Sequence, residues 1–168
     1  MPDKFLQHDA AGGFREVEAV ATGGAGQANK IPALDLSGRL DTTMMPTGIG
    51  AETSALTAFG ALAAGDFVNV FNDGGVMKVR KADASTGVAP ANGFVLSAYA
   101  ALDVATVYWG GLNGSLVGLT PGQHYLSTTP GASNHIAPAA AGNIVQRLGT
   151  AINSTTIFFQ PQDPILLV

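Results

Sequence analysis

From residue 67 onward the chain reads as short β-type runs, apolar residues recurring between clusters of turn-forming residues. "FVNVF", "VMKVRKA", "NGFVLSAYA", "VATVYWGGL", "NGSLVGL", "HYLSTT", "NIVQRLGTAI", "STTIFFQP" and "ILLV" are the runs in question, and as strands they would send successive side chains to opposite faces. Eight to ten short strands at this spacing predict an all-β body, a compact β-barrel, β-tulip or sandwich. The preceding run "SALTAFGALAAGD" fits either a short helix or an edge strand, with Gly60 and Gly65 weakening the helix.

Turn chemistry divides these runs. Asn72-Asp73-Gly74-Gly75 supplies the left-handed residues of a tight hairpin, and Asn92-Gly93 and Asn113-Gly114 carry the same signal. Thr120-Pro121-Gly122 suits a type II turn. In "VMKVRKA" the alternation sends Val76, Lys78 and Arg80 to one face and Met77, Val79 and Lys81 to the other. The three bases are expected to guard an edge strand against pairing.

The first 48 residues follow no such rule. "FREVEAV" alternates weakly and predicts one marginal strand, and "ATGGAGQANK" predicts a flexible joint. Its glycines are followed by no Lys-Ser or Lys-Thr pair, so it is not a phosphate loop. In "IPALDLSGRLDTTMMPTG" the apolar residues Ile31, Leu34, Leu36, Leu40, Met44 and Met45 are interrupted by Pro32, Gly38, Pro46 and Gly48, which excludes one continuous helix or strand. At most a single helical turn fits, capped by Asp41 or Thr42. Ordering a residue costs roughly 1–2 kcal/mol of backbone entropy, and an apolar side chain returns about 1.5–3 kcal/mol only when covered. The cover is expected from the body, a sister subunit or a partner. Residues 1–48 are therefore read as an extended, mostly irregular N-terminal arm and residues 49–168 as the β-rich body.

Composition sharpens this picture. Charged residues are 12% of the 168, about half the usual ~25%, while 46% are hydrophobic. A surface so poor in charge suits contact with neighbours. The net charge is −4 and no basic run exceeds Arg80-Lys81, which argues against direct nucleic-acid binding. There are no cysteines. "MPDKFLQHDAAGG" lacks the apolar core of a signal peptide and no window approaches ~18 apolar residues, so a soluble chain made in the cytoplasm, without membrane contact, is expected.

Candidate chemistry is sparse. His8, His124 and His135 stand apart, in no metal-ligand spacing, and are expected to be surface imidazoles. Asp35, Asp41, Asp66, Asp73, Asp103 and Asp163 sit in turn or cap contexts, and no Gly-x-Ser-x-Gly elbow exists. The sequons at Asn113 and Asn153 are read as turn chemistry. No catalytic residue, cofactor or metal is assigned, and the chain is not expected to be an enzyme. Of the adjacent aromatics Tyr108 and Trp109, one should face the core and the other outward or into an interface. Tyr125 joins them as a candidate trimer-interface or outward aromatic.

"IPALDLSGRLDTTMMPTGIG", "LAAGDFVNVFNDGGVMKVRKADA", "ANGFVLSAYA", "ATVYWGGLNGSLVGLTPGQHYLSTTPG", "NIVQRLGTAINSTTIFFQP" and "DPILLV" together resemble virion proteins of tailed bacteriophages, over roughly residues 31 to 168. These are capsid decoration (cement) proteins, head fibres and tail-fibre pieces. The resemblance implies a homotrimer on the outer face of the shell, bound to the major capsid protein and to neighbouring decoration subunits, that cements adjacent capsomers. The arm, at most about 160 Å long if fully extended, would latch onto capsid or adjacent subunits through Leu34, Leu36, Leu40, Met44 and Met45. The alternative it implies is a fibre module in which Tyr108, Trp109 or Tyr125 meets a host receptor or glycan.

Overall fold

The computed structural model describes residues 4–8, 11–28, 30–36, 38–45 and 50–168. The chain forms two compact units, residues 1–50 and 51–168, a division two residues beyond the expected end of the arm.

The first unit holds more regular structure than its sequence suggests. β1 (Lys4–His8) and β2 (Phe14–Glu18) pair antiparallel from Lys4↔Glu18 to His8↔Phe14. The expected marginal strand is β2; its partner "KFLQH" was not foreseen, because so short a run carries little periodicity. A Lys4–Glu16 ion pair at 2.9 Å and an Arg15 to Gln7 hydrogen bond at 3.0 Å cross the hairpin. Beyond it, a parallel bridge joins Val20 to Pro32.

The glycine-rich stretch expected as a flexible joint is instead a 3-10 turn, Gly24–Gln27, seated against a second one, Thr42–Met44. A Cβ on Gly24 would lie 2.5 Å from the Thr43 carbonyl oxygen, and the Gly23 amide donates to Thr43 Oγ1 at 3.1 Å. The glycines here permit close approach rather than motion. Asp41 caps the second turn, its Oδ1 accepting from the Thr43 amide at 2.9 Å. Pro46 and Gly48, the expected end of the arm segment, lie outside the described residues.

The second unit is all-β. β3 (Thr53–Ala58), β4 (Phe67–Asp73), β5 (Val76–Lys81), β6 (Gly93–Phe94) and β7 (Val104–Tyr108) close into a barrel in the order β3-β5-β4-β6-β7, with β3 and β5 parallel. Residues 53–58 are thus a strand, and closure leaves it no free edge. β5 is likewise interior to the ring, which corrects the edge-guard reading of its bases. Lys78 pairs with Asp73 at 2.7 Å, Lys81 pairs with Asp66 at 2.9 Å, and the Arg80 guanidinium lies 4.4 Å over the Phe71 ring.

Seven strands complete the unit: β8 (Gly111–Asn113), β9 (Gly122–Leu126), β10 (Ser133–Asn134), β11 (Ile144–Val145), β12 (Arg147–Ala151), β13 (Ile157–Phe159) and β14 (Ile165–Leu166). Five form an antiparallel sheet, β10-β9-β12-β13-β8, and β11 pairs separately with β14. Two cores result. Ala58, Leu62, Val68, Val79, Val95, Ala105 and Val107 form one cluster, contributed mainly by the barrel strands. The other gathers Phe67, Phe94, Leu126, Leu148, Ile157 and Phe159 from barrel and sheet. Adjacent residues serve different cores: Phe67 and Val68 on β4 divide between them, and so do Phe94, the last residue of β6, and Val95 just past it. The pleat of a strand buried on both faces produces this division.

The hairpin at Asn72–Gly75 forms as expected, with Gly74 and Gly75 both at positive φ and Asn72 Oδ1 accepting from the Gly75 amide at 2.7 Å. The other two Asn-Gly pairs are not hairpin turns. Gly93 lies within β6, where a Cβ would meet the Tyr108 carbonyl oxygen at 2.6 Å. Asn113 ends β8 fully buried and donates from Nδ2 to the Gly65 carbonyl at 2.8 Å.

Candidate interaction sites

Within the first unit, Ile31 (50%), Leu34 (62%), Leu36 (110%), Leu40 (36%) and Met45 (36%) are exposed, while Met44 is half-buried. The breaks responsible are local. The Asp35 carboxylate accepts from the Arg39 amide at 2.9 Å and the Gly38 amide donates to the Asp35 carbonyl at 2.9 Å, and Leu36 lies outside these contacts. The result is a short segment offering five large apolar side chains to whatever meets it.

The three candidate aromatics occupy three different settings. Tyr108 is half-buried and stacks on Phe94, ring centroids 5.4 Å apart and planes 16° apart, as part of the wall of the larger core. Tyr125 is half-buried on β9, its hydroxyl donating to Gln123 Oε1 at 3.0 Å. Trp109 is half-buried just past β7, with Nε1 donating to Ser54 Oγ at 2.9 Å and its amide to the Glu52 carbonyl at 3.0 Å.

Trp109 lines a recess of about 250 Å³ together with Pro90, Pro161 and Pro164. The recess opens where two ladders part: β12 pairs with β13, β11 pairs with β14, and residues 160–164 span the gap between β13 and β14. Pro161 and Pro164 have no amide hydrogen to offer a ladder there. Gln146, the single residue between β11 and β12, fills the break with its side chain. Buried to 3%, it accepts from the Ala91 amide at 2.7 Å and donates to the Ala91 and Gln162 carbonyls at 2.9 and 3.1 Å. This residue ties both walls of the recess together, and the sequence reading passed over it.

Asn92 also lines the recess. Its Oδ1 accepts from Asn69 Nδ2 at 3.0 Å and the Val70 amide at 2.9 Å, which fixes the orientation of the amide.

His124 departs from the surface placement expected for it. It is 2% exposed on β9, with Nε2 donating to the Thr120 carbonyl at 2.8 Å and Nδ1 in reach of Ser133 Oγ at 3.2 Å. Donation from Nε2 leaves Nδ1 of the neutral ring to accept from the serine hydroxyl. Both nitrogens are thus engaged in holding loop and strand. His8 packs against Phe14 with ring centroids 4.6 Å apart and planes tilted by 57°, and His135 is exposed. Among the described residues no group of three or more His, Asp or Glu is placed to hold a metal, and no helix is long and apolar enough to cross a membrane.

Most aspartates act as local caps: Asp66 Oδ2 accepts from the Ala63 amide at 2.7 Å and Asp103 Oδ2 from the Ala100 amide at 2.8 Å. Hydrogen bonds from the Thr43 hydroxyl and then the Thr43 amide hold the Asp41 carboxyl below its ordinary value.

These features define an all-β protein with a closed five-stranded barrel, an appended five-stranded sheet and a small N-terminal unit rich in exposed apolar side chains. Comparisons with models of protein families, with curated proteins and with solved structures give no match to this chain.

Proposed function

We propose that this chain is a structural protein of a tailed-bacteriophage virion that decorates the outer capsid surface as a homotrimer and cements neighbouring capsomers. The N-terminal unit latches onto the major capsid protein or an adjacent decoration subunit, and the β body is the compact part displayed on the shell. The observation that carries this reading is the exposure of Ile31, Leu34, Leu36, Leu40 and Met45 within fifteen residues. Burial against a partner is worth about 1.5–3 kcal/mol for each such side chain. Three copies held on one trimer would turn weak individual contacts into stable attachment through effective concentration. The charge-poor composition and the resemblance of "ALDLSGRLDTTMMPTGIG" and the strands after it to decoration proteins support the same role.

The test is the copy number and position of the chain in purified particles, followed by add-back to stripped capsids. Many copies distributed over the head are expected, with Leu34→Ser, Leu36→Ser and Leu40→Ser together lowering occupancy at least ~10-fold in the full-length chain. A few copies confined to the tail, or unchanged occupancy by the triple variant, would sink the reading.

A further inference from the structure

The geometry points to the Trp109 recess as a binding site for one neutral pyranose ring, a role separate from attachment to a shell. At about 250 Å³ it lies below the ~300–1,000 Å³ of pockets for drug-sized molecules and matches a single sugar-sized ring.

Its chemistry is that of saccharide recognition. A pyranose offers a face of polarised C–H groups and a rim of hydroxyls. The first packs on the electron-rich face of an aromatic ring; the second needs planar acceptors and donors. Trp109 lines the recess, with its Nε1 engaged by Ser54 Oγ and so not available to a ligand. Because Asn92 Oδ1 is committed to Asn69 and Val70, the Nδ2 end is the donor left for a ligand. The Asp163 carboxylate, exposed on the rim, is the acceptor-only partner for hydroxyl donors.

The walls are set before any ligand arrives. Three prolines have fixed φ, and buried Gln146 joins the backbone at Ala91 to that at Gln162 through three hydrogen bonds. A rigid site spends little of its binding energy on ordering itself, which matters most for a small, weakly held ligand. The carboxylate also sets selectivity: it repels acidic sugars and leaves neutral ones as the fitting class.

Trp109 is the single tryptophan of the chain, so its emission, and the NMR signal of its indole N–H, report on this recess alone. The full chain is titrated with the methyl pyranosides of glucose, galactose and mannose, with sodium glucuronate as the acidic counterpart. A saturable change with at least one neutral glycoside at about millimolar affinity is expected, with glucuronate at least ~10-fold weaker. Asp163→Asn, at an exposed position, should keep the wild-type urea midpoint and lose at least ~10-fold in affinity. The assignment is overturned by the absence of a saturable change with every glycoside, by equal binding of glucuronate, or by unchanged affinity in Asp163→Asn. A response to a proline-rich peptide without one to the glycosides would overturn it equally.

Discussion

Replacing Gln146 with leucine tests whether this residue joins the walls of the Trp109 recess. Leucine nearly conserves volume, so packing is largely kept, but all three side-chain hydrogen bonds are lost. The Ala91 amide would lose its partner in a residue only 2% exposed, at a desolvation cost of about 1–3 kcal/mol. The two carbonyls each lose a bond worth about 0.5–1.5 kcal/mol, so the body should be destabilised by about 2–6 kcal/mol. Urea unfolding followed by Trp109 emission reads the body directly, because the fluorophore lies in it. With a slope of about 2 kcal/mol per molar urea, the midpoint should fall by roughly 1–3 M with the slope unchanged. Gln146→Glu should be no better, since its carboxylate would face two carbonyl oxygens with nothing to donate. A Gln146→Leu midpoint equivalent to less than about 0.5 kcal/mol of loss would refute the role, because it would mean that solvent readily replaces all three bonds.

Two further outcomes bear on the fold. Gly149 sits at φ +145° beside the bulge in β12, and a Cβ there would come within 2.0 Å of the Phe158 carbonyl oxygen. Gly149→Ala should therefore cost at least about 3 kcal/mol and lower Tm by about 10 °C or more; a Tm within about 2 °C of wild type would contradict this packing. Asp41 should titrate below its ordinary value when its carboxyl carbon is followed by NMR, and Thr43→Val should move it back up. Because the folded pKa is the lower one, this group's stabilising contribution is present above the ordinary value and is lost as pH falls through the lowered one. An Asp41 that titrates at its ordinary value in the wild type would rule out the Thr43 contact.

The strands of the body were legible because short apolar runs are set apart by turn residues. What such a run does not carry is which core each face meets. "FVNVF" shows that Phe67 and Val68 point apart, but only the closed ring shows that one reaches the sheet-side core and the other the barrel cluster. The misread positions share a physical cause. Glycine appears both where φ is positive and where a neighbour's backbone comes too close for a Cβ, and the sequence does not distinguish them. Gly74 and Gly75 are of the first kind, as the hairpin expectation requires; Gly93 is of the second, facing the Tyr108 carbonyl within a strand rather than in a turn. Gly24 in the first unit meets both conditions, at φ +45° and against the Thr43 carbonyl, so it marks tight packing and not a joint. Asparagine is equally double-valued: the side chains of Asn92 and Asn113 bond to backbone groups distant in sequence, contacts that exist only after folding.

The recess was half-visible for a related reason. Trp109 stands out beside Tyr108 as one of two adjacent aromatics, yet its neighbours in sequence do not supply the other lining residues, which include residues 161–164. The missed signal was Gln146. In "NIVQRLG" the inward positions are Ile144, Gln146 and Leu148, all buried, with Val145 and Arg147 half-exposed between them. A polar side chain in an inward register is costly unless every polar atom finds a partner. Its presence between two buried aliphatics therefore implies unpaired backbone groups nearby for it to satisfy. Unpaired backbone inside a β protein occurs where one ladder ends and another begins, and there the sheet surface is interrupted. The same interruption that requires a glutamine at position 146 opens the recess beside Trp109, so the buried amide and the candidate site are two consequences of one break in pairing.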